Sequence, residues 1–349
     1  MTHPSGAPPT PPTPPTAATP SRIGRFAVTG RAGSGGFATV LRAVDEALDS
    51  VVAIKVLSRQ WVHEADGRDR FLAEARLLRR ADSDRVVRVH DIGDLPDGRP
   101  YFVMTFADRG TLAQRLEKGP LPWRVAVSVA AEITRGLQAL HEAGILHRDV
   151  KPSNVLYRSL PDGRERLLLG DLGLGKLLGD RAERTIAGGT PGYMSPEQGI
   201  VGAAVSVRTD VYGVGAVLFK ALTGRSPHDP EVVVYPATTH SVVPPSTLVT
   251  GIPTDVDEVV LRAISRDPRG RQHDATTLLG ELSRLLTTPT GPISTTQHIP
   301  PYIPPEEESG GAIPRYLPPD ASPYAPPHQS QALPRYVPPH IPKYVPPDH

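Results

Sequence analysis

"LHRDVKPSNVLY", residues 146–157, sets an acid, a cation and an amide (Asp149, Lys151 and Asn154) close together in one short stretch. An apolar-faced helical pattern, "RVAVSVAAEITRGLQALHEAG" (124–144), leads into it, and the apolar pair Val155 and Leu156 follows. A solvated loop can hold such residues by accident, whereas a catalytic loop requires them. The rest of the chain decides between these readings, because it must supply what these groups would act on.

On the N-terminal side, "FAVTGRAGSGGFATVLRAVDEALDSVVAIKVL" (26–57) alternates β-branched runs with glycine and acidic turns, which predicts three antiparallel strands. "RDRFLAEARLLRR" (68–80) has helical periodicity with Phe71, Ala75 and Leu78 on one face. Glu74 shares that face, and an inward carboxylate is costly unless it meets a cation. "RVVRVHDIG" (85–93) and "PYFVMTF" (100–106) predict two more strands. Beyond residue 110 the pattern turns mostly helical, with "TDVYGVGAVLFKALTG" (209–224) apolar enough to be buried, followed by "DVDEVVLRAISRDP" (255–268) and "ATTLLGELSRLL" (275–286). Strands with one helix, then a helical half, indicate an α+β protein of two unequal lobes.

The 349-residue chain carries a formal net charge of +1, which argues against broad electrostatic capture of nucleic acid or anionic membrane. It has no cysteine, so thiolate catalysis and disulfides are excluded. The N-terminus lacks the apolar core of a secretory signal, and no apolar run approaches the roughly 18 residues of a membrane span. The expectation is a soluble, cytoplasmic protein. Of 41 prolines, 8 lie in residues 1–22 and 17 in residues 292–349. Segments so rich in proline and poor in large apolar residues favour extended, disordered chain over a packed core.

"GSGGFATV" (33–40) joins two predicted strands, and Gly33, Gly35 and Gly36 allow close backbone approach to an anion. By itself it is also an ordinary glycine-rich hairpin turn. Lys55 ends the apolar "VAIK" strand (52–55); a strand-end lysine is commonly exposed, but here it can meet Glu74 across the sheet–helix interface.

"GSGGFATV", "VAIK", Glu74, "HRDVKPSN", "DLG" (171–173), "SPE" (195–197) and "RTDVYGVG" (208–215) occur in the order and spacing that resemble eukaryotic-like (Hanks-type) protein serine/threonine kinases of bacteria. The resemblance implies a bilobal kinase domain over residues 23–286, with an N-lobe of about 23–106 and a C-lobe of about 107–286. Disordered segments 1–22 and 287–349 would flank it. It implies ATP and Mg2+, with Mn2+ as an alternative ion, and protein substrates. In that family Lys55 contacts the α- and β-phosphates and is held by Glu74. Asp171 and Asn154 carry the metal, Asp149 takes the acceptor hydroxyl proton, and Lys151 stabilises the transferring phosphoryl group. Lysine at 151 matches the serine/threonine class. Gly33, Ser34, Gly35, Gly36, Phe37 and Ala38 would cover the phosphates. Met104 matches the gatekeeper, Thr105 and Ala107 would offer backbone groups to adenine, and Val40, Ala53 and Leu156 would sandwich it.

Other motif residues read as structural. His147 would pack with Leu172 and Leu78 in a spine between the lobes. Asp210, otherwise a favourable helix-start acid, would hold the catalytic-loop backbone. Glu197 and Arg271 would pair in the core. Ala38 replaces the third loop glycine, Leu172 the usual phenylalanine, and Thr105 the hinge acid common in the family. Thr185 is the hydroxyl between "DLG" and "GTPGYMSPE" that, once phosphorylated, would order its loop against Arg148; Thr190 would touch the catalytic Asp and Lys. The tail repeats P-x-Y-x-P-P around Tyr302, Tyr316, Tyr324, Tyr336 and Tyr344. This suits either a solvated linker or multivalent docking to a groove-type domain. A homodimer would serve autophosphorylation in trans. Two rival readings stand beside the kinase: an ATP-binding pseudokinase scaffold recruiting partners through the tail, and a small-molecule phosphotransferase. "GTPGYMSPEQ" argues against the second, since it resembles a peptide-substrate platform.

Overall fold

A computed structural model describes residues 20–173 and 192–288, apart from 63, 65, 201, 229–232 and 235–240. Thr185, Thr190, the proline-rich N-terminus before residue 20 and the tyrosine-repeat tail lie outside the described residues.

The N-terminal lobe is a six-stranded antiparallel sheet. Its strands are β1 (Arg22–Ile23), β2 (Phe26–Ser34), β3 (Ala38–Asp45), β4 (Ser50–Leu57), β5 (Val89–Asp94) and β6 (Pro100–Thr105), in the spatial order β1-β2-β3-β4-β6-β5. The two-residue periodicity of β4 sorts its side chains between two apolar clusters. Val52, Ile54 and Val56 face an outer one with Phe26, Leu41 and Val103, while Ala53 and Leu57 face the interior. Lys55 shares the parity of Ala53 and Leu57 and so points inward. There it meets α1 (Gly67–Arg80), whose buried positions are Gly67, Phe71, Glu74, Ala75 and Leu78. The rings of Phe71 and Phe102, 4.9 Å apart, tie that helix to β6.

The C-terminal lobe holds α2 (Leu112–Leu116), α3 (Trp123–Glu142), α4 (Val207–Thr223), α5 (Pro245–Leu248), α6 (Thr254–Ala263) and α7 (Ala275–Thr287). Between α3 and α4 a two-stranded antiparallel ribbon, β7 (Val155–Ser159) and β8 (Glu165–Leu169), continues directly from the quoted stretch. The ribbon and α2 are additions to the sequence reading, which expected a mostly helical region here. Their signals are local: Gly163 takes a left-handed turn at φ +80° between the strands, and Thr111 with Gln114 forms a reciprocal cap on α2.

Nearly every face of α4 is buried, as its apolar composition requires. Its glycines permit close approach. A Cβ on Gly213 would lie 2.7 Å from the Val150 side chain of the quoted stretch, and one on Gly215 would lie 2.7 Å from that of Ala263. Gly213 therefore lets α4 press directly against the loop that carries Asp149. No helix among the described residues is long and apolar enough to cross a membrane.

The start of α7 supplies one stability prediction. Asp274 Oδ1 accepts hydrogen bonds from the Thr277 amide (2.8 Å) and hydroxyl (2.9 Å). The Thr277 amide above all, together with His273, pulls this carboxyl down to about 2. Its ordinary value is about 3.9, so the cap contributes fully above about pH 4 and loses its contribution as pH falls toward 2. Asp274→Ala is expected to cost about 1 kcal/mol at neutral pH and almost nothing near pH 2. Denaturation midpoints at the two pH values check this, and equal losses at both would contradict it.

Candidate active site

Lys55 Nζ sits 2.7 Å from Glu74 Oε1 and 2.8 Å from Asp171 Oδ1, joining β4, α1 and the segment after β8 through one ammonium. Lys55 and Glu74 are both buried. Burial alone would lower the Lys55 pKa, but the two carboxylates outweigh it and hold the amine charged, above its ordinary value. Burial pushes the Glu74 carboxyl upward against the pull of Lys55. Lys55 holds Asp171 below the usual carboxylate range despite its desolvation.

The quoted stretch closes the other side of the site. Lys151 Nζ lies 2.8 Å from Asp149 Oδ2. Asn154 Nδ2 donates to the Asp149 carbonyl (2.9 Å), to Asp149 Oδ2 (3.1 Å) and to the Asp171 carbonyl (3.3 Å). With its nitrogen so committed, Asn154 has its side-chain oxygen to offer a ligand. That oxygen and the Asp171 carboxylate are hard donors of the kind magnesium takes, and magnesium commonly needs only one or two protein ligands beside phosphate and water. Among the described residues no group of three or more His, Cys, Asp or Glu forms an all-protein metal cage. The residues present therefore fit a phosphate-linked ion.

Two site residues have left-handed backbone: Arg148 at φ +63° and Asp171 at φ +52°. For non-glycine residues this costs on the order of 1–2 kcal/mol each, so neighbouring contacts must impose it. Asp210, in the first turn of α4, does so at Arg148. Its carboxylate accepts from the amides of His147 (2.9 Å) and Arg148 (2.6 Å), and His141 Nε2 lies 2.8 Å from the same group. Gln198 Nε2 donates to the Arg148 carbonyl at 2.8 Å. His147 is fully buried, and its ring accepts from the Asp149 amide and faces the Gly170 carbonyl at 3.1 Å. Both ring nitrogens are thus occupied by backbone, and burial holds the imidazole below its ordinary pKa. Leu78 and Leu172 lie in one buried cluster that spans both lobes.

In the glycine-rich turn the Gly35 amide donates to the Ala38 carbonyl at 2.9 Å. The Gly36 carbonyl accepts from Trp61 Nε1 (2.9 Å) and Gln60 Nε2 (2.8 Å). These two donors were not anticipated from sequence, and they tie the loop to the chain beyond β4. The Phe37 ring packs edge-on against Trp61 at 5.4 Å and lies 6.4 Å from Phe71, so its side chain anchors the loop from within. Ser34 and Gly36 are exposed at the tip, Gly33 and Val40 are half-buried, and Ala38 is buried at the start of β3. Ala38 is absent from the left-handed positions among the described residues, so its methyl group brings no backbone strain.

Met104, Thr105 and Ala53 are buried and Leu156 is half-buried. In the paired strands Ala53 stands opposite Met104. The Thr105 amide donates to the Arg88 carbonyl at 2.9 Å, so what its backbone can offer a purine is the carbonyl. Ala107 follows on the half-buried linker between the lobes.

Residues 26–250 match the family model described as "Protein kinase domain". The chain is 36% identical over 269 residues to serine/threonine-protein kinase PknL of Mycobacterium tuberculosis, covering 75% of this chain and 65% of that protein. It is 34% identical over 270 residues to serine/threonine-protein kinase pkn2 of Myxococcus xanthus, covering 74% and 32% respectively. The chain thus spans less than two thirds of these relatives' lengths. The crystal structure of the Mycobacterium tuberculosis PknI kinase domain superposes with a TM-score of 0.61 at 24% identity, covering 76% of this chain and 99% of that one. The chain belongs to the protein kinase family.

Proposed function

We propose that this chain is a protein serine/threonine kinase that transfers the γ-phosphoryl group of ATP to serine or threonine hydroxyls of proteins. The carrying observation is that Lys55, Asp171, Asn154, Asp149 and Lys151 form one continuous hydrogen-bonded set, although they come from three separate segments of the chain. Phosphoryl transfer is mainly a matter of positioning and charge neutralisation, which this set supplies.

In this reading Lys55, steadied by Glu74, binds the α- and β-phosphates. Asp171 and Asn154 hold magnesium, or manganese in its place, which neutralises developing phosphate charge when bound. Asp149 accepts the acceptor's hydroxyl proton as the new O–P bond forms. The bond from the γ-phosphorus to the β-phosphate oxygen breaks, ADP leaves, and Lys151 offsets charge on the phosphoryl oxygens. The turn at 33–38 covers the phosphates by its backbone, while Met104, Thr105, Ala107, Val40, Ala53 and Leu156 hold the adenine. Phosphoamino-acid analysis after incubation with labelled ATP and a generic basic protein tests the class. Phosphoserine and phosphothreonine are expected, and phosphotyrosine as the main product would overturn it.

The domain is assigned to residues 23–286, acting in the cytoplasm. Autophosphorylation at Thr185, between two copies of the chain, is part of the proposal: the new dianion would pair with Arg148. Thr185→Ala is expected to lower activity about tenfold or more, as loss of one ordered switch contact would; full activity of this variant would remove Thr185 from the account. The tyrosine repeats are assigned to docking on groove-type protein domains. An unchanged set of partners in a pull-down after deletion of residues 292–349 would contradict that role.

A further inference from the structure

His228 stands outside the phosphoryl-transfer set, yet it holds a position that simple loop packing does not require. It follows α4 in the turn Gly224–His228, which begins with left-handed Gly224 at φ +73°. Its Nε2 lies 2.7 Å from the Tyr212 hydroxyl, and its ring also hydrogen-bonds the Met194 backbone. A neutral imidazole has one donor and one acceptor nitrogen. The Met194 contact favours the protonated ring, as a carbonyl acceptor does and an amide donor would not, so the imidazole donates there and accepts from Tyr212.

Met194 belongs to the segment Gly192–Gly199, which adjoins the catalytic stretch. Gln198 reaches the Arg148 carbonyl, next to Asp149. The far side of the segment is fixed by the fork of Arg271 on Glu197 at 2.7 and 2.8 Å. The near side rests on the turn after α4. Ser226 Oγ donates to the Gly192 carbonyl at 3.1 Å and accepts from the His228 amide at 3.3 Å. Tyr212 joins the two supports, with its hydroxyl on His228 and its ring 4.8 Å beneath the Arg271 guanidinium. Tyr193 and Met194, in the segment that Gln198 ties to the Arg148 carbonyl, remain half-exposed.

We propose that His228 is a positioning residue for the protein acceptor, holding the Gly192–Met194 backbone at the height at which the acceptor chain lies across Asp149. The inference rests on the kinase reading and deepens it by naming His228 as a support of the peptide-substrate platform which that reading already implies. The neutral imidazole is the competent form. Protonation makes Nε2 a donor, so Tyr212 can no longer donate to it and must turn its hydroxyl proton elsewhere. Among the described residues, the titratable and charged groups on this network are Tyr212, Arg271 and Glu197. Desolvation keeps the imidazole below its ordinary value, with the Met194 carbonyl opposing it, so the site is neutral at physiological pH.

The test is steady-state kinetics of the full chain with Mg-ATP and a generic basic protein as acceptor. His228→Phe keeps a ring and loses both hydrogen bonds. It is expected to raise acceptor KM about five- to tenfold while kcat and the KM for ATP stay within about twofold, the scale of one or two hydrogen bonds. His228→Asn, whose amide can still donate toward Met194, should recover most of that loss. The wild-type acceptor KM should rise on the acid side, His228→Phe should lose that limb, and Tyr212→Phe should move it to higher pH by removing the donor that favours the neutral ring. Unchanged acceptor KM in His228→Phe, or KM values for acceptor and ATP rising together, would overturn the assignment. If His228→Phe does not fold, the Asn variant and the Tyr212→Phe pH profile decide by the same criteria. Absence of transfer by the wild-type chain would instead overturn the kinase reading on which the assignment stands.

Discussion

Arg271→Ala is expected to destabilise the fold by about 3–5 kcal/mol, because it strands a buried carboxylate. The Arg271 side chain is fully buried. Its five N–H donors are all matched: two on the oxygens of Glu197, and one each on the carbonyls of Ser265, Arg208 and Arg266. Without it, Glu197 keeps the Thr209 hydroxyl at 2.9 Å, and three carbonyls lose their partner. Against a total stability of roughly 5–15 kcal/mol, the variant would lie near the edge of folding. Chemical denaturation is the check: the midpoint should fall with the slope unchanged. A loss below about 1 kcal/mol would mean that water replaces the guanidinium and that the pair is peripheral.

The second large effect is on chemistry. Asp149→Asn preserves shape, and its side-chain oxygen can still accept from Lys151 and Asn154, so the loop geometry should persist. What disappears is the carboxylate proposed to take the acceptor proton. General-base catalysis is worth about 10²–10⁴ in rate, and kcat is expected to fall by that factor while ATP affinity stays within about twofold. A rise in KM for ATP comparable to the loss of kcat would show instead that Asp149 shapes the nucleotide site.

The parts legible in the sequence were those with a strong period or a chemical conflict to resolve. Glu74 on the apolar face of α1 demanded a cation, and the parity of β4 points Lys55 at it. The largely apolar α4 announced its burial, and the glycines within it now have a reason in the approach of Val150 and Ala263. The β7–β8 ribbon was harder to see, because each strand has only five residues and the first begins within the quoted stretch without a break. The contacts of His141 with Asp210, of Trp61 with the Gly36 carbonyl and of Gln198 with the Arg148 carbonyl were invisible for another reason. They are side-chain bonds across elements distant in sequence, and no local period encodes them. Phe37 marks the limit of motif reading: placed with the phosphate cover by position, it is an apolar anchor by packing.

The most direct test measures nucleotide binding and labelled γ-phosphate transfer on the same preparations of wild-type chain and Asp149→Asn. The account predicts that both bind Mg-ATP alike and that the wild type alone transfers phosphate at an appreciable rate. Binding without transfer in the wild type would contradict it and leave a nucleotide-binding scaffold. Undiminished transfer by Asp149→Asn would contradict it equally, by removing the base on which the proposed mechanism turns.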